Sequence, residues 1–154
     1  MSLETETVKH QLETQTTIRF DHFCFETTDK TGIILNYACL TPLLKEYSCK
    51  DVIDKIVAFV ALHMQVRQVK TFTFHLFCSG MLMRDMTTHK TFMLKFAQMF
   101  KMVFPNELTA CYVYGASSVF SSIYELFKSV LPKHSRDKII IVPSKKSSAN
   151  NTLY

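Results

Sequence analysis

The side chains most able to do chemistry are spread along the chain in spacings that match no catalytic or metal-binding motif. The sequence has five cysteines and six histidines, yet it lacks a C-x-x-C pair, an H-E-x-x-H helix and any Cys/His spacing typical of zinc. His75 stands among apolar neighbours, where a hydrogen-bonded strand histidine is commoner than a metal ligand. These patterns indicate neither a metal site nor a Cys–His nucleophile.

The glycines give no support to nucleotide chemistry. The chain has only three, Gly32, Gly80 and Gly115, which lie too far apart for a loop that cradles a nucleotide phosphate. The G-x-S-x-G pattern of a serine nucleophile is missing as well. A dehydrogenase-like or thioredoxin-like enzyme is therefore disfavoured. We predict a protein that is not an enzyme and uses no cofactor.

The composition is that of one globular domain with an unusual apolar make-up. At 154 residues, with 47% hydrophobic and 20% charged residues, the chain can bury one sizeable core. Thirteen Phe, eight Met and no Trp fit either a Phe-rich core or a cavity for an apolar ligand, since Met adapts to irregular surfaces. Composition alone does not choose between these two interpretations.

The net charge indicates which partners the protein favours, and the cysteine content indicates its cellular compartment. A net charge of +5 favours anionic partners such as a phosphoinositide headgroup or a membrane surface. The lysines form no basic stripe with interleaved aromatic residues, so we expect no nucleic-acid partner. An odd number of cysteines in mostly apolar runs is typical of reduced thiols in a cytoplasmic protein. No segment resembles a secretory signal or a membrane span, so any membrane contact would be peripheral.

The first elements that could position these side chains form a hairpin. Thr17–Glu26 alternates with a period of two and is rich in aromatic and β-branched residues, which predicts a strand. Residues 28–32 have the chemistry of a turn ending in Gly32, and Ile33–Cys39 follows as a second strand. The spacing predicts an antiparallel pair.

The rest of the chain alternates helical and strand patterns. The predicted helices are 51–69, 84–104 and 118–131, and the predicted strands are 71–78, 109–115 and 139–142. This order predicts an α/β fold with a single, mainly parallel five-stranded sheet covered by helices. We interpret residues 1–16 as a polar arm, 17–143 as the domain and 144–154 as a disordered tail.

Short motifs mark the boundaries between these elements. In chain order they are Asp29-Lys30-Thr31-Gly32, Cys78-Ser79-Gly80, Phe104-Pro105-Asn106-Glu107-Leu108, Cys111-Tyr112-Val113-Tyr114-Gly115, Ser117 to Leu131 with Phe120 and Tyr124, and Ser135 to Val142 with Lys138-Ile139. Together they resemble the CRAL-TRIO domain of the Sec-fourteen-like lipid-transfer family, best between 71 and 142. Two departures are the missing Arg-Pro after Gly32 and Phe77 at a usually acidic position.

The resemblance implies an apolar cavity, floored by the sheet and covered by helix 118–131 as a movable lid. Residues 115–117 and Pro132 would serve as hinges. The alternative for this helix is burial on two sides in a compact core. The residues implied to contact a ligand are Phe72, Phe74, Leu76, Phe92, Phe96, Phe100, Phe120, Ile123 and Phe127.

The resemblance also places Lys138 where phosphoinositide-binding members hold a headgroup phosphate. A lysine ammonium is a compact cation suited to that role. The alternative is a solvated lysine at the entry to a strand. A phosphoinositide ligand is thus one hypothesis among several for the lipid.

These expectations lead to one function and one alternative. The predicted function is non-enzymatic binding or transfer of a phospholipid or other small lipophile by a cytoplasmic, peripherally membrane-associated protein. Because the helical lobe and the C-terminal stretch usual in the family are missing or vestigial, we interpret the domain as a minimal form. The alternative is a divergent adaptor that binds a protein partner, such as a small GTPase or regulator, without a lipid.

Overall fold

The computed structural model of the protein describes residues 20–79, 86–115 and 118–143. Within the helices it does not describe the side chains at positions 86–88, 118–120, 122, 123 and 126. The predicted polar arm at 1–16 and tail at 144–154 lie outside the described residues and stay predictions.

The first strand is much shorter than predicted. Residues 20–23 form a helical turn and strand β1 spans only Cys24–Glu26, while 17–19 lie outside the described residues. The alternating pattern predicted a strand, but Phe20 and Phe23 are also three residues apart, a spacing that places two side chains on the same face of a helical turn. Their rings lie 6.3 Å apart, and Phe23 is fully buried, so a helical turn packs both on one side.

The predicted hairpin is confirmed. Strand β2, Ile33–Asn36, pairs with β1 in antiparallel fashion, with Cys24 opposite Leu35. In the connecting turn, Asp29 Oδ1 accepts hydrogen bonds from the hydroxyls of Thr27 and Thr31, both at 2.7 Å. These bonds, that of Thr27 first, lower the pKa of Asp29 to about 2.

Strand β2 ends earlier than predicted. Asn36 Oδ1 accepts a hydrogen bond from the backbone N–H of Ala38 at 3.2 Å, and the chain turns into a 3-10 helix over Tyr37–Cys39. Helix α1, Leu40–Glu46, follows directly and was not predicted. The cause is local, because an Asn side chain that bonds its own backbone competes with continued strand pairing.

Helix α2, Cys49–Arg67, forms where the apolar stripe predicted it. The Ser48 hydroxyl accepts a hydrogen bond from the backbone N–H of Asp51 at 3.1 Å and caps the first turn. Gln68 ends the helix in the left-handed conformation, with φ 55°. The stripe, represented by Val52 and Ile56, is buried as expected.

The remaining elements complete a βα alternation. They are β3 (Phe72–Phe77), α3 (Met86–Val103), β4 (Leu108–Tyr114), α4 (Ser118–Val130), α5 (Lys133–Arg136) and β5 (Ile139–Ile141). The strands lie in the order β1-β2-β3-β4-β5, and all pairs after the first are parallel. The predicted fold class is therefore confirmed. Among the described residues, the sequence analysis missed the helical turn at 20–23, the 3-10 helix and the short helices α1 and α5.

The strand order determines where the helices lie. Each parallel connection moves one strand along in the same direction, so right-handed crossovers place α2, α3 and α4 side by side on one face of the sheet. The contacts of α3 with both α2 and α4 agree with this layer. Phe72, Phe74 and Leu76 of β3 point into it and are buried. The other face carries half-buried stacked rings, such as Phe77 on Tyr114 at 4.8 Å.

Candidate functional site

An apolar cavity of about 80 Å³ lies between the sheet and helices α3 and α4. Alternate residues of the parallel strands form its floor, because the register sets Phe74 beside Cys111 and Cys111 beside Ile139. Helix α3 supplies one wall and helix α4 the other. The apolar lining comprises Phe74, Leu76, Phe96, Ala97, Phe100, Phe104, Pro105, Leu108, Cys111, Phe127, Leu131 and Ile139, with buried Tyr37 also in contact.

The cavity opens at the end of the sheet where the parallel strands begin, which we call the amino edge. Two of its lining residues are exposed. Lys101 lies in the last turn of helix α3, and Pro105 lies between that helix and β4. Ser135 and Lys138, which are half-buried, precede β5 at the same edge. Ligand crevices of open α/β sheets normally lie at the opposite, carboxyl ends of the strands. The geometry is that of a hollow within the packed layers.

Phenylalanine rings fill most of the space around the cavity. Phe74 lies 5.8 Å from Phe96 and 5.2 Å from Phe100, and the latter two rings are 4.6 Å apart. The remaining volume is well below the roughly 300–1,000 Å³ of typical small-molecule pockets. An acyl chain could therefore enter only if these rings change rotamer or helix α4 moves outward.

Six of the predicted contact residues meet at this cavity. They are Phe74, Leu76, Phe96, Phe100, Phe127 and Lys138. Phe72 and Phe92 instead lie in the core beside it, with Phe92 stacked 5.9 Å from Phe96. Phe120 and Ile123 belong to helix α4, but their side chains lie outside the described part of the structure. The role of all ten as ligand contacts stays a prediction.

Helix α4 is held differently at its two ends. Before it, Gly115 has φ 69°, and a Cβ there would collide with the hydroxyl of Ser79. The predicted hinge glycine is thus required by both conformation and space. After it, Pro132 starts the short helix α5. Among the described side chains of α4, Phe127 is buried and lines the cavity.

The charged lining residues that the structure describes are two lysines. Lys138 is anchored through its backbone, since its carbonyl accepts a hydrogen bond from the N–H of Cys111 at 2.8 Å. Lys101 of helix α3 also lines the mouth, with its Nζ 3.5 Å from the carbonyl oxygen of Val130. Sequence reasoning missed Lys101. Its position four residues after Ala97 and three before Phe104 puts it on the cavity side of the helix and could have revealed it.

The thiols near the cavity are unsuited to nucleophilic chemistry. Burial raises the pKa of Cys78 to about 12, and burial first and Cys78 second raise that of Cys111 to about 12. Both thiols are therefore protonated at neutral pH. Within the described ranges, no group of three or more His, Cys, Asp or Glu side chains is placed to hold a metal ion.

Comparison with known protein families identifies the fold. A profile of the CRAL/TRIO domain matches residues 11–153. The chain belongs to the CRAL/TRIO domain family. CRAL/TRIO domains are in general lipid-binding and lipid-transfer domains rather than enzymes, so the apolar cavity of this one is the natural candidate site.

A solved structure agrees with the CRAL/TRIO fold. The chain is similar to that in the crystal structure of Sfh5, with a TM-score of 0.53 and 19% sequence identity over 71% of this chain and 42% of that chain. This CRAL/TRIO chain thus spans less than half the length of the Sfh5 chain, and at that identity the likeness shows the fold alone. Among curated proteins no sequence matches significantly. No helix in the described ranges is long and apolar enough to cross a membrane.

Proposed function

We propose that this CRAL/TRIO domain binds a phospholipid or another small lipophile without chemical conversion, in the cavity between the sheet and helices α3 and α4. One observation carries the proposal. The cavity has apolar walls, and its charged lining residues in the described structure, Lys101 and Lys138, are both at the mouth. Such a polarity suits an amphiphile that enters tail first.

Hydrocarbon burial would supply the binding energy. Each buried methylene contributes roughly 0.8 kcal/mol, so ten would contribute about 8 kcal/mol before the costs of ordering the chain. Opening the cavity costs ring contacts such as Phe96 on Phe100, which acyl contacts would replace. The balance favours a ligand long enough to extend beyond the present 80 Å³.

Helix α4 is the element we propose to move. It is the last long helix of the layer, with its main packing contacts on α3 and α5. It covers the edge where β5 is only three residues long. Outward motion of α4 therefore breaks fewer contacts than motion of α3, which packs between two helices. The role of α4 as a lid rests on this asymmetry and on the hinge position of Gly115.

Lys138 and Lys101 would hold the polar end of the ligand. No carboxylate is among the described lining residues, so an anionic headgroup meets no like charge at the mouth. A phosphoinositide is one such ligand. If Lys138 is only a solvated lysine, then Lys138→Gln leaves the affinity for anionic and neutral lipids equally unchanged.

Lipid extraction tests the proposed function. The protein is purified without detergent, extracted with organic solvent, and the extract is analysed by mass spectrometry. We expect near-stoichiometric lipid, or stoichiometric uptake after incubation with phospholipid vesicles. Protein that stays lipid-free after both treatments contradicts the proposal.

The small present volume favours a second candidate function. A CRAL/TRIO domain whose cavity stays filled by its own phenylalanines would serve as a protein-interaction module. In that case added lipid would not raise the melting temperature, and substitutions in the cavity would change stability without changing partner binding.

We further propose that the domain is cytoplasmic, peripheral to membranes and of the Sec-fourteen-like kind. The free thiols of Cys24, Cys39, Cys49, Cys78 and Cys111 support a reducing compartment. Labelling of these thiols in freshly lysed cells would test whether they are reduced, and therefore whether the compartment is a reducing one.

A further inference from the structure

Exposed apolar side chains are concentrated at one end of the described structure. Of its seven exposed large hydrophobic residues, five lie at the ends of helices α2 and α3. Leu62 and Val66 are on the last turns of α2 and are 55% and 57% exposed, and Val69 follows the helix. Met102 and Val103 end helix α3, and Met102 is 77% exposed. Exposed apolar side chains gathered in one place, unlike ones scattered singly, are typical of a surface that contacts a partner or a membrane.

The topology brings both groups to the amino edge. Helices α2 and α3 are neighbours, and each runs back from the carboxyl ends of the strands to the start of the next strand. Their C-terminal turns therefore lie side by side, next to the first residues of β3 and β4. Phe72 of β3 confirms the closeness, because its N–H bonds the carbonyl of Glu107 at 2.9 Å and its ring lies 5.4 Å from Phe104.

The same edge is rich in basic residues. Apart from the ion pairs Arg67–Glu26 and Lys128–Glu125, the acidic residues there are Asp29, Glu107 and Asp137. The basic residues there are Lys30, Lys70, Lys101, Lys133, Arg136 and Lys138. The basic residues thus outnumber the acidic ones by six to three.

The opposite edge has no such excess in its described part. Apart from the ion pair Lys50–Asp54, its basic residues are Lys45, Lys55 and Lys90, and its acidic residues are Asp21, Glu46 and Asp51. Charge and exposed apolar surface are therefore polarised along the same axis of the molecule.

The mouth of the cavity lies within this patch. Lys101, Phe104 and Pro105 line the mouth, and Met102 and Val103 stand between them in the chain. Exposed apolar tips surrounded by lysines fit an anionic bilayer, in which apolar side chains enter the headgroup region and cations stay at the surface.

We propose that the amino edge is the surface by which the domain docks on an anionic bilayer, with Leu62, Val66, Val69, Met102 and Val103 inserted and the surrounding lysines on the headgroups. This orientation brings the cavity mouth against the bilayer. That the cavity mouth has a use at the bilayer rests on the proposed lipid-binding function, whereas the docking itself does not.

Vesicle sedimentation with matched charge variants tests the docking surface. The probes are vesicles of phosphatidylcholine alone and vesicles in which about a third of the lipid is phosphatidylserine, which gives the negative surface potential that attracts basic residues. The test variant is Lys70→Gln/Lys133→Gln at the amino edge, and the control is Lys45→Gln/Lys90→Gln at the carboxyl edge. Both variants lose the same charge. We expect the test variant to bind anionic vesicles roughly tenfold or more weakly and the control to bind as wild type does.

An apolar pair of variants completes the test. Val66→Gln/Met102→Gln removes two inserted side chains, whereas Ile140→Gln/Ile141→Gln removes two exposed side chains of edge strand β5. Circular dichroism checks that each variant is folded. The first should weaken vesicle binding and the second should not. Equal losses in test and control variants, or no binding by wild-type protein, would overturn the docking surface.

The outcomes separate this inference from the proposed function. Stoichiometric lipid uptake without vesicle sedimentation overturns the docking surface and leaves the cavity proposal intact. Sedimentation that depends on the amino edge, without any lipid uptake, supports the docking surface and contradicts the proposed function.

Discussion

Glu26 joins strand β1 to helix α2 through hydrogen bonds with Arg67 and His63. Arg67 donates to both carboxylate oxygens, with Nη2 2.8 Å from Oε1 and Nε 2.9 Å from Oε2, and His63 Nδ1 lies 2.7 Å from Oε2. These interactions, the hydrogen bonds of Arg67 first, lower the pKa of Glu26 from 4.5 to about 2. Because the pKa is lowered on folding, the stabilisation is present above the unfolded pKa and is lost as the pH falls.

This pKa shift predicts an acid sensitivity, to which Asp29, whose pKa is also lowered to about 2, contributes in the same direction. The melting temperature should fall as the pH drops from about 4.5 to about 2, and Glu26→Gln should flatten that part of the profile while lowering stability at neutral pH. Asp137→Asn, which removes an exposed carboxylate, serves as the control. A Glu26→Gln profile parallel to that of wild type would show that this ion cluster is not the source.

Gly115 is the residue on which the entry to helix α4 depends. Gly115→Ala should lower the free energy of unfolding by at least about 1–2 kcal/mol, the cost of a left-handed conformation for a residue with a Cβ. Contact of the new Cβ with Ser79 adds to that cost. Chemical denaturation measures the effect. Equal stability of Gly115→Ala and wild type would mean that this turn is not held as described.

At the scale of single elements, the sequence predicted whether a segment is a helix or a strand better than it predicted where that segment begins and ends. Long apolar stripes identified α2 and α3 because burial of one helix face leaves a strong period. The failures were short pieces, the turn at 20–23 and helices α1 and α5, which lack room for two periods. Phe20 and Phe23 fit a strand and a helical turn equally well, and only their packing decides.

The cavity was harder to predict than the elements around it. Phe74 and Leu76 line the cavity, whereas Phe72, on the same side of strand β3, lies in the core beside it. Whether a buried phenylalanine borders empty space depends on residues far away in the chain, such as Phe127, which lines the same cavity as Phe100. Lys101 was missed because a lysine at a helix end has an ordinary role near the negative end of the helix dipole.

A substitution on the cavity-facing side of helix α3 that fills the cavity tests whether the cavity binds lipid. Ala97 is buried and lines the cavity, so Ala97→Leu should occupy much of the 80 Å³. Because the added methylenes enter empty volume, we expect the unfolding free energy to change by no more than the roughly 1–3 kcal/mol of a small-to-large substitution. Lipid uptake should fall roughly tenfold or more as two or three methylene sites are lost. Ala58→Leu, on the exposed face of α2, is the control. Unchanged uptake by a folded Ala97→Leu variant would place the lipid elsewhere.

At the scale of the whole molecule, two features determine on which side of the sheet the cavity lies and at which edge it opens. The helices form one layer on the sheet, so the cavity lies on that side, and its mouth lies at the amino edge among basic and apolar side chains. The mainly parallel five-stranded sheet could be predicted from the alternation of elements. The polarity along the strands could not, because it arises from residues of separate loops that only the topology brings together.

Paramagnetic broadening tests the central claim most directly. A fatty acid with a nitroxide along its chain is titrated into isotope-labelled protein, and amide signals are followed by NMR. The account predicts broadening centred on Phe74, Phe100 and Phe127, which surround the cavity. No saturable broadening, or broadening centred on the other face of the sheet around Phe77 and Tyr114, would contradict it.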